Sequence, residues 1–164
     1  MEKKIGVLTI SDRSSAGQRK DQSGPALMSR IREVGWSAIF LGVIPDDRSA
    51  IEDTLINAAE SGDYSILLTT GGTGFAPRDV TPEATRTVIE RMAPGLSEVM
   101  RSESYQITPY AALSRGVSGI RKQTLIVNLP GRPTAAGENP DILIPILPHA
   151  VQLMLDEGEG ESGH

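Results

Sequence analysis

The chain has no cysteine, which rules out disulfides, thiolate metal sites and a cysteine nucleophile and is compatible with a reducing cytoplasm. Histidine is nearly missing as well: His149 falls inside a C-terminal amphipathic pattern and His164 in a polar tail, so no histidine mechanism or histidine metal site is expected. No apolar run is long enough to span a bilayer, and the charged start MEKKIGVLTI is only about one strand long, so neither membrane anchor nor signal peptide is expected. A formal charge of −5 leaves no general basic face for nucleic acid, and any anionic ligand must therefore be met by local chemistry. The GxGxxG dinucleotide fingerprint and the Walker GK[ST] are both missing. Internal repeats and low-complexity domains are absent too.

What remains is a chain of 164 residues, 38% apolar and 23% charged, which reads as one soluble globular domain over 1–157 with a polar, glycine-rich tail at 158–164. Ile5 to Ile10, Trp36 to Ile44, Ser65 to Thr69 and Thr124 to Leu129 read as short buried strands. Helical spacing marks Pro25 to Val34, the stripe Ile51, Leu55, Ala58 and Ala59, the segments Pro82 to Met92 and Pro94 to Ser104, and the stripe Leu147, Ala150, Val151 and Met154. A polar stretch over Ser114 to Lys122 is a candidate hairpin. Strands alternating with helices specify an α/β fold, a three-layer α/β/α sandwich with a mostly parallel sheet. SDR, PDD, TTGGTG and NLPG each follow a strand, so four polar loops are expected on one rim, where open α/β sheets bind ligands.

The segment Leu67 to Thr85, LLTTGGTGFAPRDVTPEAT, carries the most chemistry. Gly71, Gly72 and Gly74 let successive main-chain amides face an anion, Thr70 and Thr73 add hydroxyls, and Asp79 follows before a helix start that reads as Thr81 at the N-cap and Pro82 at the first helical position. A carboxylate beside a phosphate cradle is where a divalent cation would sit. After the second strand, either Asp46 or Asp47 can cap the next helix, and Ser49 with Glu52 matches a capping box; if Asp47 or Ser49 caps, Asp46 is free to point toward Asp79. Asp12 and Asp21 are further candidates, Asp21 chiefly as an Asx turn or cap near Ser23-Gly24. Arg78, Ser114-Arg115 and Arg121-Lys122 are candidate partners of phosphate charge, and Asn128 with Pro130-Gly131 forms the fourth rim loop.

Together, ISDR, PDD, TTGGTG with RDVTPEAT, ALSRGVSGIR and NLPGRP resemble the MogA family, the molybdopterin adenylyltransferases, related to the G domains of gephyrin. The resemblance spans Lys4 to about Leu155, and its SGIRKQTLIVNLPG run is closer to MogA than to MoaB. It implies transfer of AMP from ATP to the terminal phosphate of molybdopterin, releasing pyrophosphate, within molybdenum cofactor biosynthesis. By family motif position Asp46 and Asp79 are implied as the catalytic acids and as ligands of Mg2+ or another divalent cation. Asp47 stands where relatives often have Glu, which leaves Asp46 and Asp47 open to an exchange of roles. The implied substrate pocket comprises Thr70, Gly71, Gly72, Thr73, Gly74, Arg78, Ser114, Arg115, Asn128, Pro130 and Gly131. A cytoplasmic homotrimer is implied, with ATP as co-substrate and hand-over of product to a MoeA-like molybdenum insertase. The competing expectations are a non-catalytic pterin-binding or scaffold protein of the MoaB or gephyrin G-domain type and, less favoured by the TTGGTG and TPEAT wording, a CinA-type hydrolase.

Overall fold

The computed structural model describes residues 4–132 and 140–156. The polar tail and the TAAGEN run after the Pro-Gly turn lie outside the described residues. Strand β1 (Lys4–Ile10) is followed by a single turn, α1 (Asp12–Ser15), and then by α2 (Ser23–Glu33), β2 (Ala38–Ile44), α3 (Arg48–Ser61) and β3 (Tyr64–Thr70). After the glycine loop come α4 (Thr81–Val88), the two-residue β4 (Arg91–Met92), α5 (Pro94–Tyr105), a 3-10 turn (Pro109–Leu113), β5 (Ser118–Arg121), β6 (Thr124–Leu129) and α6 (Leu147–Leu155).

The strands form one six-stranded sheet in the order β2-β1-β3-β6-β5-β4. The pairs β1–β2, β1–β3 and β3–β6 are parallel, while β5 runs antiparallel to both β6 and β4. Alternate residues of the central strands face opposite layers. Ile5, Val7, Ile66, Leu68, Leu125 and Val127 pack under α2, α5 and α6, whereas Leu8, Ile10, Leu67 and Ile126 pack against α3 and α4. Burying each such Leu, Ile or Val stabilises the fold by about 1.5–3 kcal/mol, so continuous apolar strands belong in the middle of the sheet.

The three-layer expectation holds; the stretch Ser114 to Lys122 holds no hairpin of its own but supplies one strand, β5, which turns back antiparallel onto β6. One helix is shorter than its spacing suggests. The pattern from Pro82 to Met92 breaks at Ile89, where the backbone becomes extended. There the amides of Glu90 and Ala93 donate to Ile120 and Ser118 of β5 at 2.8 and 2.9 Å. A free sheet edge offers Arg91 and Met92 backbone partners, and Pro94 disfavours helix at the residue before it.

Candidate active site

Because β1, β2, β3 and β6 are parallel, their four following loops emerge on one rim. They wall a cavity of about 860 Å3 that is lined by Asp46, Asp79, Thr70, the glycine loop 71–74, Ser114, Asn128, Pro130 and Gly131. That volume lies in the range of small-molecule sites, about 300–1,000 Å3.

Glycine shapes this wall by letting other groups approach. Gly71 has φ +106°, its amide donates to Leu129 O at 3.1 Å, and a β-carbon on it would overlap Ile10 O. Gly72 has φ +68°, and a β-carbon there would stand 2.8 Å from Asp46 Oδ1. At Gly74 the same atom would lie 2.9 Å from Asp79 Oδ2. The loop thus brings both acids against main chain, a role beyond the anion cradle expected of it. The amides of Gly72, Thr73 and Gly74 have no acceptor among the described residues, which leaves three consecutive donors at the cavity wall, the arrangement that binds anionic oxygen.

The two acids after β2 divide their tasks. Asp47 caps α3, its Oδ2 accepting the Ala50 amide at 2.9 Å, while Glu52 pairs with Arg48 instead of completing a capping box. Asp46 faces the cavity. Its Oδ2 accepts the Asp12 amide at 2.9 Å, and its own amide donates to Asp12 Oδ1 at 3.0 Å. Burial pushes the Asp46 carboxyl above its ordinary value; the Asp12 amide bond opposes this, nearby Asp12 and Asp79 charges add to it, and Arg78 counters them. Asp46 Oδ1 is buried without a partner. A half-buried carboxylate with an orphan oxygen and two acidic neighbours is a donor set short of positive charge. It suits a hard divalent cation whose remaining ligands are substrate oxygens and water. Among the described residues no cluster of three or more His, Cys, Asp or Glu forms a self-sufficient metal cage.

Four expected ligand contacts have other work in this structure. Arg78 forms a bidentate pair with Asp12, Nε to Oδ2 at 2.9 Å and Nη2 to Oδ1 at 3.0 Å, and it does not line the cavity. Arg115 does not line it either. It braces the glycine loop from behind, donating from Nε to Gly74 O at 2.7 Å and from Nη2 to Asp79 O at 2.7 Å, and pairing with Glu83. Thr70 Oγ1 donates to Pro130 O at 2.9 Å, tying the third and fourth loops together. Asn128 touches the cavity, but its side chain is engaged inside the fold: the amide donates to Thr69 and Thr85 hydroxyls at 3.0 and 2.9 Å, and Oδ1 accepts the Val117 amide at 3.0 Å. Asn128→Ala would strand those groups. Unsatisfied buried partners cost about 1–3 kcal/mol each, so a loss of about 3 kcal/mol or more is expected, read as a lower urea midpoint with unchanged slope.

Arg121, the last residue of β5, and Lys122, in the turn into β6, lie at the end of the sheet away from the cavity; Arg121 pairs with Glu60 and donates to Val88 O at 2.9 Å. Asp21 accepts the Gly24 amide at 3.2 Å, as expected of an Asx turn, and the Thr9 hydroxyl at 2.8 Å. The sequence reading missed Arg19, Lys20 and Arg132, and the α5 residues Ser97, Arg101 and Ser104, all on the cavity wall. Ser97 and Ser104 sit seven apart with Met100 between them, and all three are buried. Polar residues on the inward stripe of an amphipathic helix were the available signal.

The Arg115 guanidinium beside Glu83 holds that carboxyl below its ordinary 4.5, burial acting the other way. A lowered folded value means the stabilisation is present above the unfolded value and is lost as pH falls through the folded one. The stability gap between the parent and Glu83→Gln is therefore expected to be open at pH 7 and to close as pH drops below about 4.5, measured as urea midpoints across that range.

Residues 6–149 match the family model described as "Probable molybdopterin binding domain". The chain belongs to the molybdopterin-binding domain family. The molybdopterin adenylyltransferase of Helicobacter pylori is 41% identical over 153 residues, covering 92% of this chain and 87% of that protein. The molybdenum cofactor synthesis protein cinnamon of Drosophila melanogaster is 46% identical over 154 residues, 93% of this chain but only 26% of its own length. Among solved structures, the molybdopterin biosynthesis enzyme MoaB of Thermus thermophilus matches with a TM-score of 0.87 at 42% identity, covering 94% of this chain and 97% of that one. The family's fold is thus shared by MoaB proteins. Among the described residues no helix is long and apolar enough to cross a membrane.

Proposed function

We propose that this protein is a molybdopterin adenylyltransferase, moving AMP from ATP to the terminal phosphate of molybdopterin and releasing pyrophosphate. The observation that carries the reading is the juxtaposition of Asp46 and Asp79, from different strands, on one cavity and against one glycine loop with three open amides. A pterin phosphate oxygen forms the new bond to the α-phosphorus as the bond to the pyrophosphate oxygen breaks. Such a transfer needs alignment of nucleophile and leaving group and relief of negative charge more than covalent help from the protein. The open amides and the cationic side chains of Arg19, Lys20, Arg101 and Arg132 suit the two anionic substrates. When bound by Asp46 and Asp79, Mg2+ or a similar cation supplies charge neutralisation on the ATP phosphates. Arg78 and Arg115 act one step back, Arg78 by holding Asp12 and Arg115 by bracing the loop that presents Asp79.

The homotrimer and the hand-over to a MoeA-like insertase belong to the same reading. Exposed Phe75 and Tyr110 on the cavity's rim and nearby Ile107 support a partner surface there. The test is incubation of purified protein with molybdopterin, ATP and Mg2+, with mass analysis for adenylylated molybdopterin and assay of pyrophosphate. Pyrophosphate appearing only when molybdopterin is present supports transfer. Pterin bound without product supports a scaffold, and nucleotide cleavage without molybdopterin supports a hydrolase.

A further inference from the structure

Two buried polar atoms meet at Gly72, each lacking what the other offers. Asp46 Oδ1 and Thr81 Oγ1 are shut off from solvent, and neither has a hydrogen-bond partner among the described residues. Both lie against the same side of Gly72, where a β-carbon would overlap Thr81 Oγ1 and stand 2.8 Å from Asp46 Oδ1. The Thr81 amide already donates to Gly72 O at 3.2 Å, so loop and helix are joined at this point. Thr81 was expected to cap α4, yet the helix begins on Thr81 itself and no side chain caps it. A fully buried hydroxyl with no acceptor loses its hydration for nothing.

The chemistry of the pair is complementary. An ionised carboxylate only accepts, a hydroxyl proton rotates to suit its acceptor, and threonine in a helix has two accessible χ1 positions. Glycine at 72 leaves no side chain between them. We propose that Thr81 is a positioning residue for Asp46: a small adjustment of the two side chains past Gly72 lets its hydroxyl donate to Oδ1, a bond not made in this structure, while the Asp12 amide holds Oδ2. The carboxylate is then fixed at both oxygens as it faces the cavity. This rests on the reading of Asp46 as an acid of the transfer reaction.

The test is a double-mutant cycle in urea. Thr81→Val is expected to lower the unfolding midpoint of the parent but to leave that of Asp46→Ala unchanged or raise it, the hydroxyl there having no acceptor. Thr81→Ser, which keeps the hydroxyl and drops the methyl, is expected to retain parent-like kcat, whereas Thr81→Val lowers kcat by about ten- to a hundred-fold at unchanged KM for molybdopterin. A higher midpoint for Thr81→Val would show an unpaired hydroxyl and overturn the proposal. An equal fall in both backgrounds would assign Thr81 to packing and overturn it too, as would a kcat loss in Thr81→Ser matching that of Thr81→Val. The midpoints do not depend on turnover: coupling without adenylyl transfer would refute the proposed function alone, and transfer without coupling would refute the positioning role alone.

Discussion

Asp46→Asn is expected to lower adenylyl transfer by about a hundred- to a thousand-fold, the scale seen when a preorganised electrostatic group is removed from an active site. The folded state should not suffer in proportion. Asp46 is half-buried, its charge is opposed by burial and by Asp12 and Asp79, and asparagine keeps an oxygen to accept the Asp12 amide. The urea midpoint is therefore expected to hold or rise while kcat collapses, with molybdopterin binding close to that of the parent. A kcat within threefold of the parent would remove Asp46 from the reaction. Asp47→Ala is the contrasting variant. It deletes the cap that accepts the Ala50 amide, costs about 1 kcal/mol and leaves kcat intact, because Asp47 does not line the cavity.

Gly71→Ala carries the largest expected cost in stability. Its backbone sits at φ +106°, outside the usual range of a residue with a side chain, and the added carbon would overlap the Ile10 carbonyl. Strain of that kind alone costs about 1–3 kcal/mol. The surrounding main chain has little room to yield. Gly71 is bonded through its amide to Leu129 O, and a β-carbon on Gly131 would lie only 2.9 Å from the Gly71 α-carbon. Strands β1, β3 and β6 thus converge on one residue, and a total loss above about 4 kcal/mol is expected, enough to prevent folding in a marginal domain. Gly95→Ala is the control: a β-carbon there meets nothing within 4 Å, and in a helix the change is expected to stabilise by about 0.5–1 kcal/mol. Paired urea titrations check both. Equal midpoints for the two variants would contradict the account of the glycine loop.

The local record in the residues reached further into the site than its simplicity suggests. That two aspartates from separate loops would share a rim followed from the alternation of strands with helices, since the parallel strands it specifies deliver their loops to one edge. That Asp47 caps and Asp46 faces inward is the outcome in which one side chain satisfies the helix and its neighbour is released. The arginines went otherwise. Arg78 looked available to substrate because its partner, Asp12, lies 66 positions away, and a long cation chooses among distant anions by proximity that no short window contains. Arg115 similarly finds Gly74 O, Asp79 O and Glu83 only once the segment before β5 has folded against the glycine loop, where the Arg115 amide donates to Thr73 O at 2.8 Å.

By itself, then, the amino-acid order determined the strands, most helices, the parallel layering and the glycine bend, because apolar periodicity, proline and glycine act within a few residues of themselves. Tertiary structure alone decided which polar groups face ligand and which serve the scaffold: Asn128 turned to Thr69 and Thr85, Arg115 to the back of the loop, and α5 with its inward serines to the cavity. The reason is that a buried hydrogen-bonding group must be satisfied by whatever stands within about 3 Å, and that neighbour is set by the packing of whole layers.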